Sequence, residues 1–550
     1  MQFRIKFLGG ASKVTGSCHL LTAGSKRILI DCGVEQGSEL TEELNLPVDE
    51  PVDHCLLTHA HLDHCGLLPL LVKRKKLNGY VISTYPTKMI AEIILRDFMN
   101  IYRTNFGKLP FTDDDLSRLF SRWKVFDYYE NIELSNLLKA KFYDAAHIIG
   151  SASVVFDYAG EYSILFTGDI GTANTRILKY PPKKPKSVGY LVMESTYGNM
   201  EHENNIDKAI SFIKETLDNG GKVLIPSFSV GRTQEVIYTL NKANIVGSKK
   251  YPLYLDSPMA HKVTVLSYHL SPFLRPLKDL GGNLFNGYIP VVKMADSKKL
   301  AESKEPCVIV SASGMLTGGR VLNHYQTIKD DEKSAIVFVG YQANETLGRK
   351  IIDGEEQVKC RVFVAHGFSA HADRKELIDY VSSFEDKPFK VFITHGEEEQ
   401  RKSLADLLNK HGIDAVLPLE GEEYTCDKQR PVKHSEITRE EKESYGWEEI
   451  VPDEFEDWFL YSLKTGKVGI QKLDELINAK TTGINTALSW CKGVYSRGRF
   501  LPISGQYTKD EEKRIGREVY EMFCRAAVWL SPEALQKIKK TAADFKWLEK

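Results

Sequence analysis

Short alternating runs of apolar and polar residues dominate the first 200 positions of this chain. "FRIKFLGG" (Phe3 to Gly10), "CHLLTAGSKRILIDCG" (Cys18 to Gly33) and "HCLLTHAH" (His54 to His61) read as strands, with "TAGSK" as a hairpin turn. The stretch "GLLPLLVKRKKLNG" (Gly66 to Gly79) switches to helical spacing and stops on glycine. Strands resume in "AKFYDAAH", "SASVVFDYAG" and "YSILFTGDI", between Ala140 and Ile170. Sheet layers with helices outside them, an α/β or α+β arrangement, are the expected outcome.

From about residue 205 the pattern changes. "NIDKAISFIKETLDNGGKVLIPSFSVGRTQEVIYTLNKA" (Asn205 to Ala243) runs helix, glycine turn, fully apolar strand, helix. The same alternation continues through "YPLYLDSPMAHKVTVLSYHL" and "PCVIVSASGMLTGGRVLNHYQTI", which predicts a parallel-sheet domain. A further block, "RVFVAHGFSAHADRKELIDYVSSF" with "KVFITHGEEEQRKSLADLLNKHG", again pairs apolar strands with amphipathic helices. Beyond about residue 435 the chain reads as helical and charged. The expected units are therefore 1–204, 205–350, 351–435 and 440–550. The last, carrying Trp447, Trp458, Trp490, Trp529 and Trp547, reads as a helical core or a partner-docking unit. Within it "YSRGRF" (Tyr495 to Phe500) mixes arginine with aromatics, as single-strand binders do, although a plain surface turn is the simpler reading.

Composition narrows the class. A chain of 550 residues suggests about three or four domain-sized units. Lys plus Arg (73) nearly balance Asp plus Glu (74), so any site for a polyanion must be a local patch and not a global field. The runs "KRKK" (Lys73 to Lys76) and "PPKKPK" (Pro181 to Lys186) read as a solvated helix end and a solvated loop. Nine cysteines without a C-x-x-C pair suggest reduced thiols. No stretch approaches the roughly 18 apolar residues of a membrane span, and the N-terminus lacks the apolar core of a signal peptide. A cytoplasmic protein without a membrane partner is expected.

Candidate chemistry is concentrated in "HAHLDH". His59, His61, Asp63 and His64 fall within six residues, and with 15 histidines in 550 positions such a cluster arises by chance on the order of once per million starting points. Other polar residues stand at the ends of apolar strands: His147 in "DAAHIIGS", Asp169 in "ILFTGDIG", His371 in "GFSAHAD" and His395 in "VFITHGE". One histidine at a strand end is ordinary; several accompanying a His/Asp cluster indicate a site on one edge of a rigid sheet. Imidazole and carboxylate without thiolate suit zinc or a similar first-row ion in an open hydrolytic site. Seven donors (His59, His61, Asp63, His64, His147, Asp169 and His395) are too many for one tetrahedral ion. They suit two, roughly 3.5–4 Å apart and sharing a carboxylate.

These motifs, with "LIDCG" before them, resemble the metallo-β-lactamase fold, an αββα sandwich. The departure after residue 200, and "MESTYG", "SFSVGRTQE", "SASGMLTGG", "GFSAHAD" and "THGE" in that order, resemble its β-CASP branch. The resemblance covers roughly residues 1–425 and is strongest to the endonuclease of cleavage and polyadenylation specificity factor that processes RNA 3′ ends, and to its prokaryotic relatives. It implies a metallo-β-lactamase domain in two parts, 1–204 and 351–435, around a β-CASP insertion at 205–350. It implies one zinc ion on His59, His61 and His147, a second on Asp63, His64 and His395, and Asp169 bridging. Asp31 would orient ligands, and Glu194 with His371 would orient and protonate the leaving oxygen, a task suited to a side chain that titrates near neutrality. Asp63 belongs to the catalytic set as well as to the ligands. In this family a histidine at the position of His395 accompanies RNA, and DNA-cleaving members tend to carry valine there.

Substrate contacts are expected from the backbone N–H groups of Ser313, Gly314 and Met315 near a helix start, and from Arg232 and Ser369. A structural salt bridge is an equally simple use of Arg232, and a plain glycine turn of "SASGMLTGG". The form "GFSAHAD" departs from what is expected of RNase J-type enzymes, and no KH-type extension is expected before the catalytic fold. The expectation is a zinc-dependent ribonuclease acting on single-stranded RNA, as an endonuclease with 5′-to-3′ exonuclease action left open. It would leave a 3′-hydroxyl and a 5′-phosphate. The alternatives are a DNA-directed β-CASP nuclease and a non-catalytic RNA-binding scaffold. A homodimer and a protein partner for residues 440–550 are left open.

Overall fold

A computed structural model describes residues 2–35, 43–246, 251–280, 285, 287–438, 441, 444 and 445. The chain divides into a unit Met1–Trp447 and a second, Glu448–Lys550. The second lies outside the described residues, as do the tryptophans and "YSRGRF" of the expected helical unit, of which only Glu441, Ser444 and Tyr445 are described. No helix among the described residues is long and apolar enough to cross a membrane.

Two seven-stranded sheets carry the predicted strands. In the first, Glu423–Cys426, Phe3–Gly9, Cys18–Ala23 and Lys26–Ile30 are antiparallel neighbours, and His54–Leu56, Val81–Ser83 and Trp123–Val125 continue in parallel. The second runs Ala415–Val416, Lys390–Ile393, Tyr190–Met193, Tyr162–Phe166, Ala152–Tyr158, Leu138–Asp144, Ile132–Glu133. Their facing sides meet through buried aromatics: Phe7 lies 5.5 Å from Phe392 and Phe3 lies 5.8 Å from Tyr158, centroid to centroid. Helices cover the outer faces. The longest, Tyr85–Phe106, starts where the Thr84 side chain accepts from Thr87 N–H and ends at Gly107, whose φ of 66° few other residues adopt at low cost. Residues after the insertion complete both sheets, 390–416 the second and 423–426 the first, so the two-part domain closes only when the chain returns.

The third sheet is wholly parallel: Tyr288–Pro290, Leu253–Asp256, Val308–Ser311, Val223–Pro226, Ala335–Phe338, Arg361–Val364. Val308–Ser311, Val223–Pro226 and Ala335–Phe338 are buried at every position because helices cover both faces, and Leu224, Ile309 and Ile336 pack with Val321, Tyr325 and Ile351 from those helices. The sheet runs past the expected limit at residue 350, since Arg361–Val364 pairs along Ala335–Phe338 as a sixth strand.

The basic runs separate. Lys73, Arg74 and Lys75 are exposed at a helix end. Lys184, expected in a solvated loop, is instead folded over the Phe384 ring at 3.2 Å, and burial pulls its pKa down to about 7. The seven described cysteines are all free and buried.

Candidate metal centre

Both sheets deliver their strand ends to one edge. His59 and His61 follow the strand His54–Leu56 in extended conformation. His61 (φ −71°, ψ 153°) caps a one-turn helix, Leu62–Cys65, which carries Asp63 and His64. Two glycines let neighbouring loops press onto these turns. A Cβ at Gly33 would stand 1.6 Å from the Asp63 carbonyl oxygen, and one at Gly171 would stand 1.8 Å from that of Ala146. Each glycine lies two residues after an aspartate, in "DCG" and "DIG"; the sequence showed that spacing, and its packing role was missed. Asp31, Ala146 and His395 adopt positive φ (60°, 57° and 48°), strained backbone gathered at the site.

The seven expected donors converge in two overlapping groups. In the first, His61 Nδ1 lies 3.0 Å from His59 Nε2 and 3.2 Å from His147 Nε2, while Asp169 Oδ2 lies 3.4 and 3.5 Å from the latter two atoms. In the second, His64 Nε2 is 3.3 Å from His395 Nε2, and Asp63 Oδ2 is 3.8 and 3.5 Å from these atoms. Asp169 Oδ1 stands 3.4 Å from His64 Nε2, so one carboxylate faces both groups. A tetrahedral shell with zinc–ligand bonds near 2.0–2.1 Å has ligand–ligand edges of roughly 3.3–3.4 Å. The observed spacings fit that shell.

The electrostatics fit a cation as well. Burial lowers the basicity of His59 and His147 well below the usual imidazole range and that of His61 to about 4, which leaves neutral rings with lone pairs turned on one another. Asp169 Oδ1 is buried with no hydrogen-bond partner. Burial would lower His64 too, but Asp169, Asp31 and Asp63 override it and raise its pKa to about 10. A negative potential strong enough to do that also favours a divalent ion. The residues present fit two zinc ions.

Outside the donors, Asp31 accepts from Thr58 N–H (2.8 Å), Thr58 Oγ1 (2.9 Å) and His64 Nδ1 (2.7 Å). His147 Nδ1 donates to the Ala370 carbonyl at 3.1 Å. Each bond fixes which ring nitrogen faces the centre. Glu194 and His371 are in contact, with Nδ1 3.1 and 3.2 Å from the two carboxylate oxygens. Glu194 also accepts from Ile170 N–H at 2.5 Å and Thr196 Oγ1 at 2.6 Å. Thr58 and Thr196 escaped the sequence reading although each stands inside or beside a quoted motif. His371 lies near enough to Asp169 and Glu194 for these three to form a further cation-sized group.

The expected substrate contacts fare differently. Ser313 N–H bonds to Gly318 O and Met315 N–H to Ser313 Oγ, and the next helix starts only at Val321. Two of the three expected N–H groups thus bond within the loop, at 3.4 and 3.3 Å. Ser369 is likewise engaged, its hydroxyl shared by the backbone N–H and C=O of His371. Arg232, at the start of the helix Arg232–Lys242, makes no ion pair among the described residues. Its buried Nε has no partner, and burial lowers its pKa to about 10. It lines a small cavity with His147, Gln234 and Ser369.

This fold and site define a metallo-hydrolase, and sequence comparison places it further. Residues 12–211 match the metallo-beta-lactamase superfamily, 233–351 the Beta-Casp domain, and 355–418 the Zn-dependent metallo-hydrolase RNA specificity domain. The chain is 33% identical over 441 residues to transcription termination factor FttA of Methanocaldococcus jannaschii, covering 74% of this chain and 69% of the relative. It is 34% identical to an RNase J-like protein of the same organism (76% and 98% covered) and 36% identical to ribonuclease TTHA0252 of Thermus thermophilus (76% and 99%). The chain belongs to the β-CASP family of the metallo-β-lactamase superfamily.

Proposed function

We propose that this chain is a dinuclear-zinc ribonuclease that hydrolyses phosphodiester bonds of single-stranded RNA, leaving a 3′-hydroxyl and a 5′-phosphate. The observation that carries the reading is the Asp169 carboxylate, one oxygen facing His59 and His147 and the other facing His64 and His395. What zinc supplies at such a centre is activation of water near neutral pH and neutralisation of charge developing on the phosphoryl oxygens. His59, His61 and His147 would hold one ion and Asp63, His64 and His395 the other, with Asp31 fixing the ring of His64. Glu194 holds His371 by Nδ1, so that Nε2 is the nitrogen left to protonate the departing 3′-oxygen. Arg232, buried with its Nε unpartnered and in no ion pair among the described residues, would meet a phosphate beside the one cleaved.

RNA is favoured over DNA by His395 at the second group, by the match to an RNA specificity domain and by the ribonuclease names of two relatives. The test is cleavage of labelled RNA and of matched DNA, with and without a chelator, and with readdition of zinc. Chelator-sensitive cutting of RNA in preference to DNA is expected. Undiminished cutting by an Asp63→Ala, His64→Ala double variant would reject the proposal.

A further inference from the structure

His371 sits on a bend, between the short 3-10 turn His366–Phe368 and the helix Arg374–Ser382, so no regular element holds its ring in place. The segment is instead stitched residue by residue to its surroundings. Ala370 O receives His147 Nδ1 (3.1 Å), and Ala372 N–H donates to Ile170 O (2.8 Å). His371 itself is held through its carbonyl, which lies 3.2 Å from His202 Nε2 and 3.4 Å from Ser369 Oγ. His202 is anchored in turn. Its backbone N–H donates to Asp373 Oδ2 at 2.9 Å, and its ring meets Tyr197 edge-on at 4.4 Å and 78°. Its Nδ1 is buried with no partner, and a carbonyl can only accept, so the ring proton belongs on Nε2.

We propose that His202 is a positioning residue for the leaving-group acid: by donating Nε2–H to the His371 carbonyl it fixes the bend that aims the His371 ring. The inference rests on the ribonuclease reading above. Without that bond the 369–373 bend loses one of its side-chain stitches while the seven donors keep theirs, so proton delivery suffers and the metal centre does not. Burial supports the assignment, because it lowers the His202 pKa to about 4 and keeps the ring a neutral donor at working pH.

The test compares two substrates on the zinc-loaded full-length protein. RNA has a strongly basic leaving oxygen that needs a proton, and bis(p-nitrophenyl) phosphate has a weakly basic one that does not. For His202→Ala, kcat on RNA should fall about 10- to 100-fold with KM within about twofold. Zinc content and the rate on the aryl diester should be nearly unchanged. His371→Ala should show the same split more strongly, and His202→Gln, whose Nε2–H can still reach the carbonyl, should recover most of the RNA rate. Equal losses on both substrates, or a His202→Gln no better than alanine, would overturn the role of His202 and leave the ribonuclease reading standing. A zinc-loaded wild type that cuts the aryl diester and not RNA would refute that reading, and the role of His202 with it.

Discussion

Two buried aspartates, one in each half of the molecule, show what separates a site from a strut. Asp256 ends a strand of the third sheet, and its carboxylate is filled from within: Arg320 donates to Oδ1 at 2.8 Å, and His324 (2.7 Å) and Ser297 (2.5 Å) donate to Oδ2. Burial would raise its pKa, but those three donors override it and hold the carboxyl below the usual range. Asp169 is also buried, and its surroundings push the other way. Burial raises it, His395 and His64 offset only part of that, and Glu194 adds repulsion. Histidines face both residues, so the presence of histidine decides nothing. The difference lies in donors: Asp256 accepts three hydrogen bonds from N–H and O–H groups, whereas Asp169 Oδ1 is buried without a hydrogen-bond partner, with His64 and His395 only at 3.4 and 3.6 Å. A carboxylate already neutralised by its own fold holds elements together; one left short awaits a cation.

That contrast can be broken at either end. Asp169→Asn should cost the most activity, more than about a thousandfold, since a bridging ligand underlies several kcal/mol of transition-state stabilisation. Zinc stoichiometry by mass spectrometry should fall with it, while urea stability in chelator stays level or rises because a strained charge has gone. Asp256→Asn should do the reverse. Stability should drop by roughly 3–5 kcal/mol, as when one partner of a buried ion pair is removed, and kcat per folded molecule should hold. Asp169→Asn protein that keeps both its zinc and its rate would dissolve the distinction.

How much of this contrast a reader of the sequence could see differs between the two halves. The convergence of the seven candidate donors was legible because several polar strand ends accompany "HAHLDH", which packs four donors into six positions. Both seven-stranded sheets were legible in outline from period-two and all-apolar runs. The pairing of Glu423–Cys426 with Phe3–Gly9 was not, since register across more than 400 residues leaves no local trace. His202 was invisible for a related reason: "EHEN" is polar all through, and only the folded chain brings its ring to the His371 carbonyl. Arg232 stayed undecided between salt bridge and ligand contact, because whether a cation finds an anion depends on tertiary neighbours. The loop at Ser313–Met315 stayed undecided too, because glycine and serine serve a self-bonded turn as readily as a phosphate cradle.

A third carboxylate sharpens the comparison with a smaller effect. Asp144, at the end of the strand leading to His147, has two donors: Ala146 N–H (2.8 Å) and Tyr445 Oη (2.8 Å). Burial raises its pKa to about 6, and Ala146, Tyr445 and Lys179 recover only part of the difference from 3.8. A carboxyl whose folded pKa lies above its unfolded value binds its proton more tightly when folded. The stability it contributes is therefore complete below about pH 4 and is lost as pH rises through about 6. Two pKa units correspond to up to about 3 kcal/mol. Other carboxylates titrate in the same range, so the quantity to measure is the difference in urea stability between wild type and Asp144→Asn from pH 4 to pH 8. That difference should move against the wild type by up to about 3 kcal/mol across the window, with zinc held constant. A difference that stays flat would mean two donors already suffice to compensate this charge, which would place Asp144 with Asp256 and leave Asp169 alone in needing a cation.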